Sequence, residues 1–417
     1  PPAAAPAPPE AAAAPLPLFP PPVLATPEDK SRRLAAEVHA LTTVQSNPAA
    51  ARTRAPRPHP RPPRGGSARY AALDLGTNNC RLLVAEPAGP EDPCGFRVVD
   101  AFSRNVRLGE GLDARAELSP AAMARTLEAL RICAAKIRRA EVRRTRIVAT
   151  EACRRAANAR AFLRRVRRET GLELEIITPE QEARLALAGC APLLDPEAER
   201  VMVFDIGGGS TELIWIDLSG ARPEERRDLI LALAPGRGGP DRSTLRRAAR
   251  ARIVDWISAP VGVATLHDRF ADVRGDRDRY ALMACHFEEH IAGFLPYEDE
   301  SHARAPGLQI IGASGTVTTL GALRLGLARY DRAKVDGMWL EREAADALVH
   351  RLLDLGREGR RRHPGVGADR ADLVVAGSAI VQTVLRLWPA PRIRVADRGL
   401  REGMLHSLMW AERTRPA

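Results

Sequence analysis

The sequence predicts an α/β protein built from a duplicated unit whose halves close on phosphate from two sides, and three stretches predict it. Asp205-Ile-Gly-Gly-Gly-Ser-Thr-Glu212 directly follows the apolar run Val201–Phe204, which reads as a buried strand. Tyr70-Ala-Ala-Leu-Asp-Leu-Gly-Thr-Asn-Asn-Cys80 has the same grammar of strand, Asp, Gly and small polar residues. Ile310-Ile-Gly-Ala-Ser-Gly-Thr316 is a third strand with a glycine-rich turn, set before a helical stretch, Val317–Leu327, whose N-terminus favours an anion. Without Cβ atoms, Gly207, Gly208 and Gly209 let backbone N–H groups close around an anion. The next run, 212–217, is again β-like, so the cradle sits on a hairpin tip. No Gly-x-x-x-x-Gly-Lys-Ser/Thr loop occurs in the chain, and recurrence of the turn over residues 70–316 is the mark of duplication.

The elements follow in order. Residues 1–68 are rich in Pro, Ala and Arg, with Arg52, Arg54, Arg57, Arg61 and Arg64 set among prolines; they are expected to form a disordered arm, with a short helix around Pro27–Val44. The first domain, 69–190, reads as strands at 70–74, 80–86 and 96–103, a helix at 120–140, a strand at 145–150, a helix at 157–170, a strand at 172–178 and a helix at 180–190. Ser119-Pro120 is a good helix start, and Gly171 is a good stop. The second domain, 191–417, restarts the pattern with strands at 200–206 and 211–217. The charged segment 222–252 reads as an insertion or mobile loop around one strand at 229–234. A final helix, Met404–Arg413, follows Asp397-Arg-Gly-Leu-Arg-Glu-Gly403 and is expected to pack back on the first domain. Such alternation argues for helices flanking mixed sheets.

Composition narrows the function. The 417 residues suffice for two domains. The net charge is +11 and is almost entirely arginine, since Lys30, Lys136 and Lys334 are the only lysines. Guanidinium binds phosphate in a bidentate way, although most of these arginines are expected to form a solvated surface. The six cysteines include no Cys-x-x-Cys pair, which argues against a zinc site or disulfide framework and fits a reducing cytosol. No apolar run approaches the roughly 20 residues of a membrane span. The amino end lacks the apolar core of a secretory signal and does not begin with Met, so the true start is expected upstream or removed.

Read as residues, Asp205 and Glu212 are hard oxygen ligands flanking the triple glycine, suited to hold Mg²⁺ beside the bound anion. Asp74 is the symmetry-related acid of the first hairpin. Asn78, Gly207, Gly208, Gly209, Ser210 and Thr211 are expected to bind phosphate oxygens, with Gly312, Ser314 and Gly315 on the third turn. Ser314 is not a nucleophile, because Gly-x-Ser-x-Thr misses the nucleophile-elbow pattern.

At this point several motifs, in order, resemble those of the exopolyphosphatase/guanosine pentaphosphate phosphohydrolase family. They are Asp74-Leu-Gly-Thr-Asn-Asn79, Val106-Arg-Leu-Gly-Glu-Gly-Leu112, Ala149-Thr-Glu-Ala-Cys-Arg154, Glu182-Ala-Arg-Leu185, Asp205 to Leu213, Gly312-Ala-Ser-Gly-Thr316 and Asp397 to Gly403. The resemblance covers about residues 69–412 and is with the short, two-domain members. It implies duplicated actin/sugar-kinase-like (ribonuclease H-like) domains with an inter-domain cleft, and a cytoplasmic, Mg²⁺-dependent enzyme. That enzyme would release terminal orthophosphate from polyphosphate by direct water attack, or act on guanosine pentaphosphate. It implies that Glu182 activates the water, with Glu212 also catalytic, that Arg154 neutralises the polyanion at the cleft, and that a homodimer is an expected assembly. Glu180, two residues from Glu182, reads as an ordinary first-turn acid. The chain departs from the family pattern at Cys80 and in the charged 222–252 segment.

Three other readings stand beside this one. A kinase of the same fold is opposed by Glu182 and the lack of an evident sugar pocket. A non-catalytic polyphosphate or alarmone sensor is opposed by intact Glu182, Asp205 and Glu212. A nucleic-acid binder using the basic arm is opposed by scarce aromatics, 4% of the chain, and no recognisable module.

Overall fold

The computed structural model describes residues 68–89, 92, 95–233, 251–298, 307–368 and 370–413. The expected N-terminal arm and its short helix lie outside the described residues, Ala68 excepted, as do residues 234–250 of the charged segment.

Two mixed sheets organise the described chain. The first contains β1 (Tyr70–Leu75), β2 (Asn79–Pro87), β3 (Phe96–Asn105), β4 (Arg144–Ala149) and β5 (Glu175–Ile176), in the order β3-β2-β1-β4-β5. The second contains β6 (Arg200–Ile206), β7 (Thr211–Asp217), β8 (Arg252–Ala259), β9 (Leu308–Ala313), β10 (Trp339–Glu341) and β11 (Arg392–Ala396), in the order β10-β11-β9-β6-β7-β8. With β10 set aside as an added edge, the two orders are the same. In each, the first strand pairs antiparallel with the second and parallel with the fourth. The duplication expected from the recurring Asp-Gly turns is thus a duplication of topology, and the fold is the expected α/β, actin/sugar-kinase-like one.

Local chemistry explains the elements. β1 and β6 are apolar and buried on both faces, as central strands require, whereas β8 alternates buried and part-exposed residues as an edge strand does. The helix Pro120–Arg139 starts where expected, with the Ser119 side chain accepting from the Ala122 N–H. The helix Ala159–Thr170 ends at Gly171, φ 75°. No helix of the described residues is long and apolar enough to cross a membrane. Cys80, Cys133, Cys153, Cys190 and Cys285 are free.

Two expectations are corrected. Over its described residues, 229–233, the strand expected at 229–234 is instead the end of a helix, Pro223–Ala232. Pro223 sits in its first turn with Glu224 and Glu225, which suit a helix start, and Arg226 is buried, donating to the carbonyls of Ala221 and Pro196. The strand expected at 172–178 shrinks to Glu175–Ile176.

Two helices join the halves. The helix Pro179–Cys190 carries Leu187 and Cys190 into the cluster containing Val201 and Ile214 of the second sheet. The final helix, Leu400–Arg413, places Met404, Leu405 and Leu408 against Tyr70, Ala72, Leu83 and Val148 of the first sheet. The helices meet backbone to backbone at glycines. A Cβ on Gly189 would lie 1.9 Å from the Gly399 carbonyl oxygen, and one on Gly403 would lie 1.9 Å from that of Leu185. Alanine normally stabilises a helix relative to glycine by about 1 kcal/mol. Here Gly403→Ala must separate two main chains, so it should lower stability by about 1–3 kcal/mol. Urea unfolding checks this, and an unchanged or raised midpoint would show that the helices do not meet so closely.

Candidate active site

The two hairpin turns, β1–β2 and β6–β7, are built alike and face each other. In the first, the Gly76 N–H donates to the Asn79 carbonyl at 2.9 Å, and in the second the Gly207 N–H donates to the Ser210 carbonyl at 2.9 Å. Their other carbonyls are held from behind. Asn78 O accepts from the N–H groups of Val106 and Arg107, and Thr77 O from that of Gly109. Gly207 O and Gly208 O accept from Val263, Ala264 and Thr265 at the start of the helix Val263–Arg269. The N–H groups of Gly208 and Gly209 make no hydrogen bond among the described residues, which leaves them for an anion. Glycine is required here by crowding. A Cβ on Gly208 would stand 3.0 Å from Asn78 Cβ, and one on Gly209 would stand 2.7 Å from Thr77 Oγ1.

A cleft of about 540 Å³ opens where the turns meet. The ladders place an acid just before each turn: Asp74, paired across the hairpin with Arg81, and Asp205, paired across with Glu212. The halves therefore differ at this position, arginine in one and glutamate in the other. Glu212 is buried and accepts from Ser258 Oγ at 2.8 Å. Burial, then the charge of Asp205, raises the Glu212 pKa to about 7. Burial, then Glu182, raises Asp205 to about 7. Asp74 is raised by burial, opposed by Arg81 and Arg401.

Glu182 enters from the helix Pro179–Cys190, whose start is fixed by a capping box between Thr178 and Gln181. Its Oε2 accepts from the Arg154 guanidinium at 2.7 Å. The same guanidinium donates to Glu151 Oε2 at 2.9 and 3.0 Å and to the Ile177 carbonyl at 3.0 Å. Burial opposes the Arg154 charge, but Glu182 and Glu151 outweigh it and hold its pKa high. Burial, with the charge of Glu212, lifts the Glu182 pKa well above the usual carboxylate value despite Arg154. Glu180 pairs with Arg184 at 2.5 Å, as an ordinary first-turn acid does.

The far wall is basic. Ser314 caps the helix Gly315–Arg324, its Oγ accepting from the Val317 N–H at 2.9 Å. Arg332 donates to the Asp397 carbonyl at 2.6 Å and to Glu402 at 2.8 Å, and Glu402 accepts from the Gly399 N–H at 3.0 Å. Burial works against the Glu402 charge, but Arg401 and Arg332 hold its pKa low. The Asp397–Gly403 motif thus fixes the start of the final helix at the cleft. Arg81, Arg332, Arg370, Arg398 and Arg401 all reach the lining.

Of the residues expected at the site, Asp74, Asn78, Glu182, Asp205, Gly207, Gly208, Gly209, Ser210, Glu212, Ser314 and Gly315 line the cleft. Three stand behind it. Thr211 is buried and donates its hydroxyl to the Val261 carbonyl at 2.7 Å. Gly312 faces Phe204, whose ring would lie 2.5 Å from an added Cβ. Arg154 donates to Glu182 and Glu151. Sequence reasoning missed Thr77, Glu151 and the arginines of the far wall. Glu151 and Arg401 lay within recognised motifs, whereas Arg332 and Arg370 carried no local signal.

The donor set fits a hard dication. Asp74 Oδ1 is buried and has no hydrogen-bond partner among the described residues, and four neighbouring carboxyl groups all have raised pKa values. No three of them bring ligand atoms within 4.8 Å of one another. An ion here would take one or two carboxylates and complete its shell with water and phosphate oxygens, which is the habit of Mg²⁺.

A family model described as the Ppx/GppA phosphatase family matches residues 89–412. A curated protein of Aeromonas salmonicida named guanosine-5'-triphosphate,3'-diphosphate pyrophosphatase is 28% identical over 342 residues, which cover 82% of this chain and 59% of that protein. The chain thus spans about 59% of the length of that curated relative. A crystal structure of the Aquifex aeolicus Ppx/GppA family member is similar at 29% identity and TM-score 0.64, covering 84% of this chain and all of that one. An exopolyphosphatase structure from Cytophaga hutchinsonii shares the fold, with TM-score 0.67 at 24% identity over 82% of this chain and 98% of that one.

The raised carboxyl groups give stability a pH slope. Because their folded pKa values exceed the unfolded ones, the folded chain binds more protons between about pH 4 and 7. In metal-free protein their contribution therefore falls as pH rises through that window. Asp205→Asn should gain stability relative to the parent between pH 5 and pH 8, measured by thermal unfolding in chelator. A constant difference would contradict the shifts.

Proposed function

The chain belongs to the Ppx/GppA phosphatase family, and from that premise we propose that it is a phosphoanhydride hydrolase. It would release the terminal orthophosphate of inorganic polyphosphate by direct attack of water. The observation that carries this reading is Glu182, held by Arg154 at 2.7 Å in a cleft with the two hairpin turns. Hydrolysis needs a positioned water, a base and donors around the transferred phosphoryl. Glu182 accepts the proton of the attacking water, and its raised affinity for a proton suits that task. Arg154 keeps the carboxylate aimed. The N–H groups of Gly208 and Gly209, with Ser210, Asn78 and the Ser314–Gly315 turn, receive the oxygens of the terminal phosphoryl. Arg332, Arg370 and Arg401 meet the phosphates that follow. Mg²⁺, when bound by Asp205 and Glu212 with Asp74 nearby, would spread the charge that develops on the phosphoryl oxygens.

A second reading is hydrolysis of guanosine pentaphosphate, favoured by the name of the Aeromonas salmonicida relative. Both substrates present a terminal phosphoanhydride to the same groups. The test is phosphate release with Mg²⁺ from long-chain polyphosphate and from guanosine pentaphosphate, by the parent and by Glu182→Gln. The variant should lose about 10²–10⁴-fold in kcat with little change in KM. Release from the nucleotide alone would move the assignment to the second reading. Release from neither, with tight binding of one, would leave a sensor.

A further inference from the structure

A cluster away from the cleft has no part in this chemistry. His286, Glu289 and His290 lie on the helix Asp276–Ile291, at spacings that put all three on one face. Among the described residues they are the one group of three or more such side chains whose ligand atoms lie within 4.8 Å of one another. We infer that His286, Glu289 and His290 form a binding site for a transition-metal dication of the zinc class.

The geometry supports it in detail. His286 Nδ1 and Glu289 Oε2 are 3.6 Å apart. Tetrahedral zinc with bonds of about 2.0–2.1 Å needs ligand atoms about 3.4 Å from one another. His290 Nδ1 lies 2.8 Å from the His286 carbonyl. A carbonyl only accepts, so Nδ1 carries the proton and Nε2 presents the lone pair. That is the backbone anchoring typical of metal-bound imidazoles. His286 is in turn fixed by Phe270, whose ring meets it edge-on at 5.6 Å, and the two imidazoles stand 4.4 Å apart at 66°. The cluster occupies the last turns of a 16-residue helix, where the dipole favours a cation. Two imidazoles and one carboxylate select zinc, cobalt, nickel or copper over magnesium. Three protein ligands leave a fourth position for water or an added group. Cysteine spacing gives no sign of such a site, because its ligands are nitrogen and oxygen.

The inference does not depend on the hydrolase reading, and its test reads the metal directly. Full-length protein carrying Asp205→Asn, so that the cleft contributes less, is stripped with chelator and titrated with Co²⁺ and with Zn²⁺. The expected result is one bound ion per chain with the visible absorption of tetrahedral Co²⁺, displaced by Zn²⁺, and a rise in melting temperature with Zn²⁺. His290→Gln should abolish the absorption and the melting shift, and Glu289→Gln should weaken binding about tenfold. Glu289 is exposed, so its loss does not threaten the fold. Absence of a stoichiometric ion, or the same stoichiometry and spectrum in His290→Gln, would overturn the proposal.

Discussion

The burial of mutually repelling carboxyl groups at one cleft constrains everything around it. Asp74, Glu182, Asp205 and Glu212 are withdrawn from water, and several raise one another's pKa. Charges held in this way need compensation from partners. The protein supplies part of it, through Arg154 for Glu182, Arg81 opposite Asp74, and Ser258 for Glu212. Asp74 Oδ1 is left without a hydrogen-bond partner among the described residues. On the proposed function, a cation that brought phosphate oxygens with it would complete the balance and turn an electrostatic cost into a reason to bind substrate.

Duplication with one divergence produces this arrangement. The sheets share a strand order, and their turns share a Gly N–H to carbonyl closure. Each delivers an aspartate to the same place. The residue across the hairpin differs, Arg81 in one half and Glu212 in the other. The first hairpin thereby carries a cationic partner across from its aspartate, and the second carries another carboxyl group. Glu182 is then brought to both by a helix that lies between the sheets' cores, locked at Gly189 and Gly403 against the final helix.

Much of this was legible in the sequence because it is local. An acid, glycines and hydroxyls after an apolar run define a turn and its chemistry within about ten residues, so Asp74, Asp205, Glu212 and the glycines could be found. Ser119-Pro120 and Gly171 marked helix ends for the same reason. What was not legible depends on distance along the chain. Arg332 and Arg370 reach the cleft only through tertiary packing, and Thr211 looked like its neighbour Ser210 until the approach of Val261 turned its hydroxyl inward. Leu229-Ile-Leu231 read as a strand because a short apolar run has no period of its own, while the acids at 224 and 225 and the buried Arg226 place it in a helix.

The most direct measurement is a carbon-13 titration of the side-chain carboxyl groups, with Glu182, Asp205 and Glu212 assigned by substitution, in chelator and then with Mg²⁺. The account predicts that metal-free Asp205 and Glu212 titrate at about 7, with Glu182 well above its usual value. Saturating Mg²⁺ should shift Asp205 and Glu212 to lower pH. Titration of all three near the ordinary carboxylate value of about 4, with no response to Mg²⁺, would contradict it.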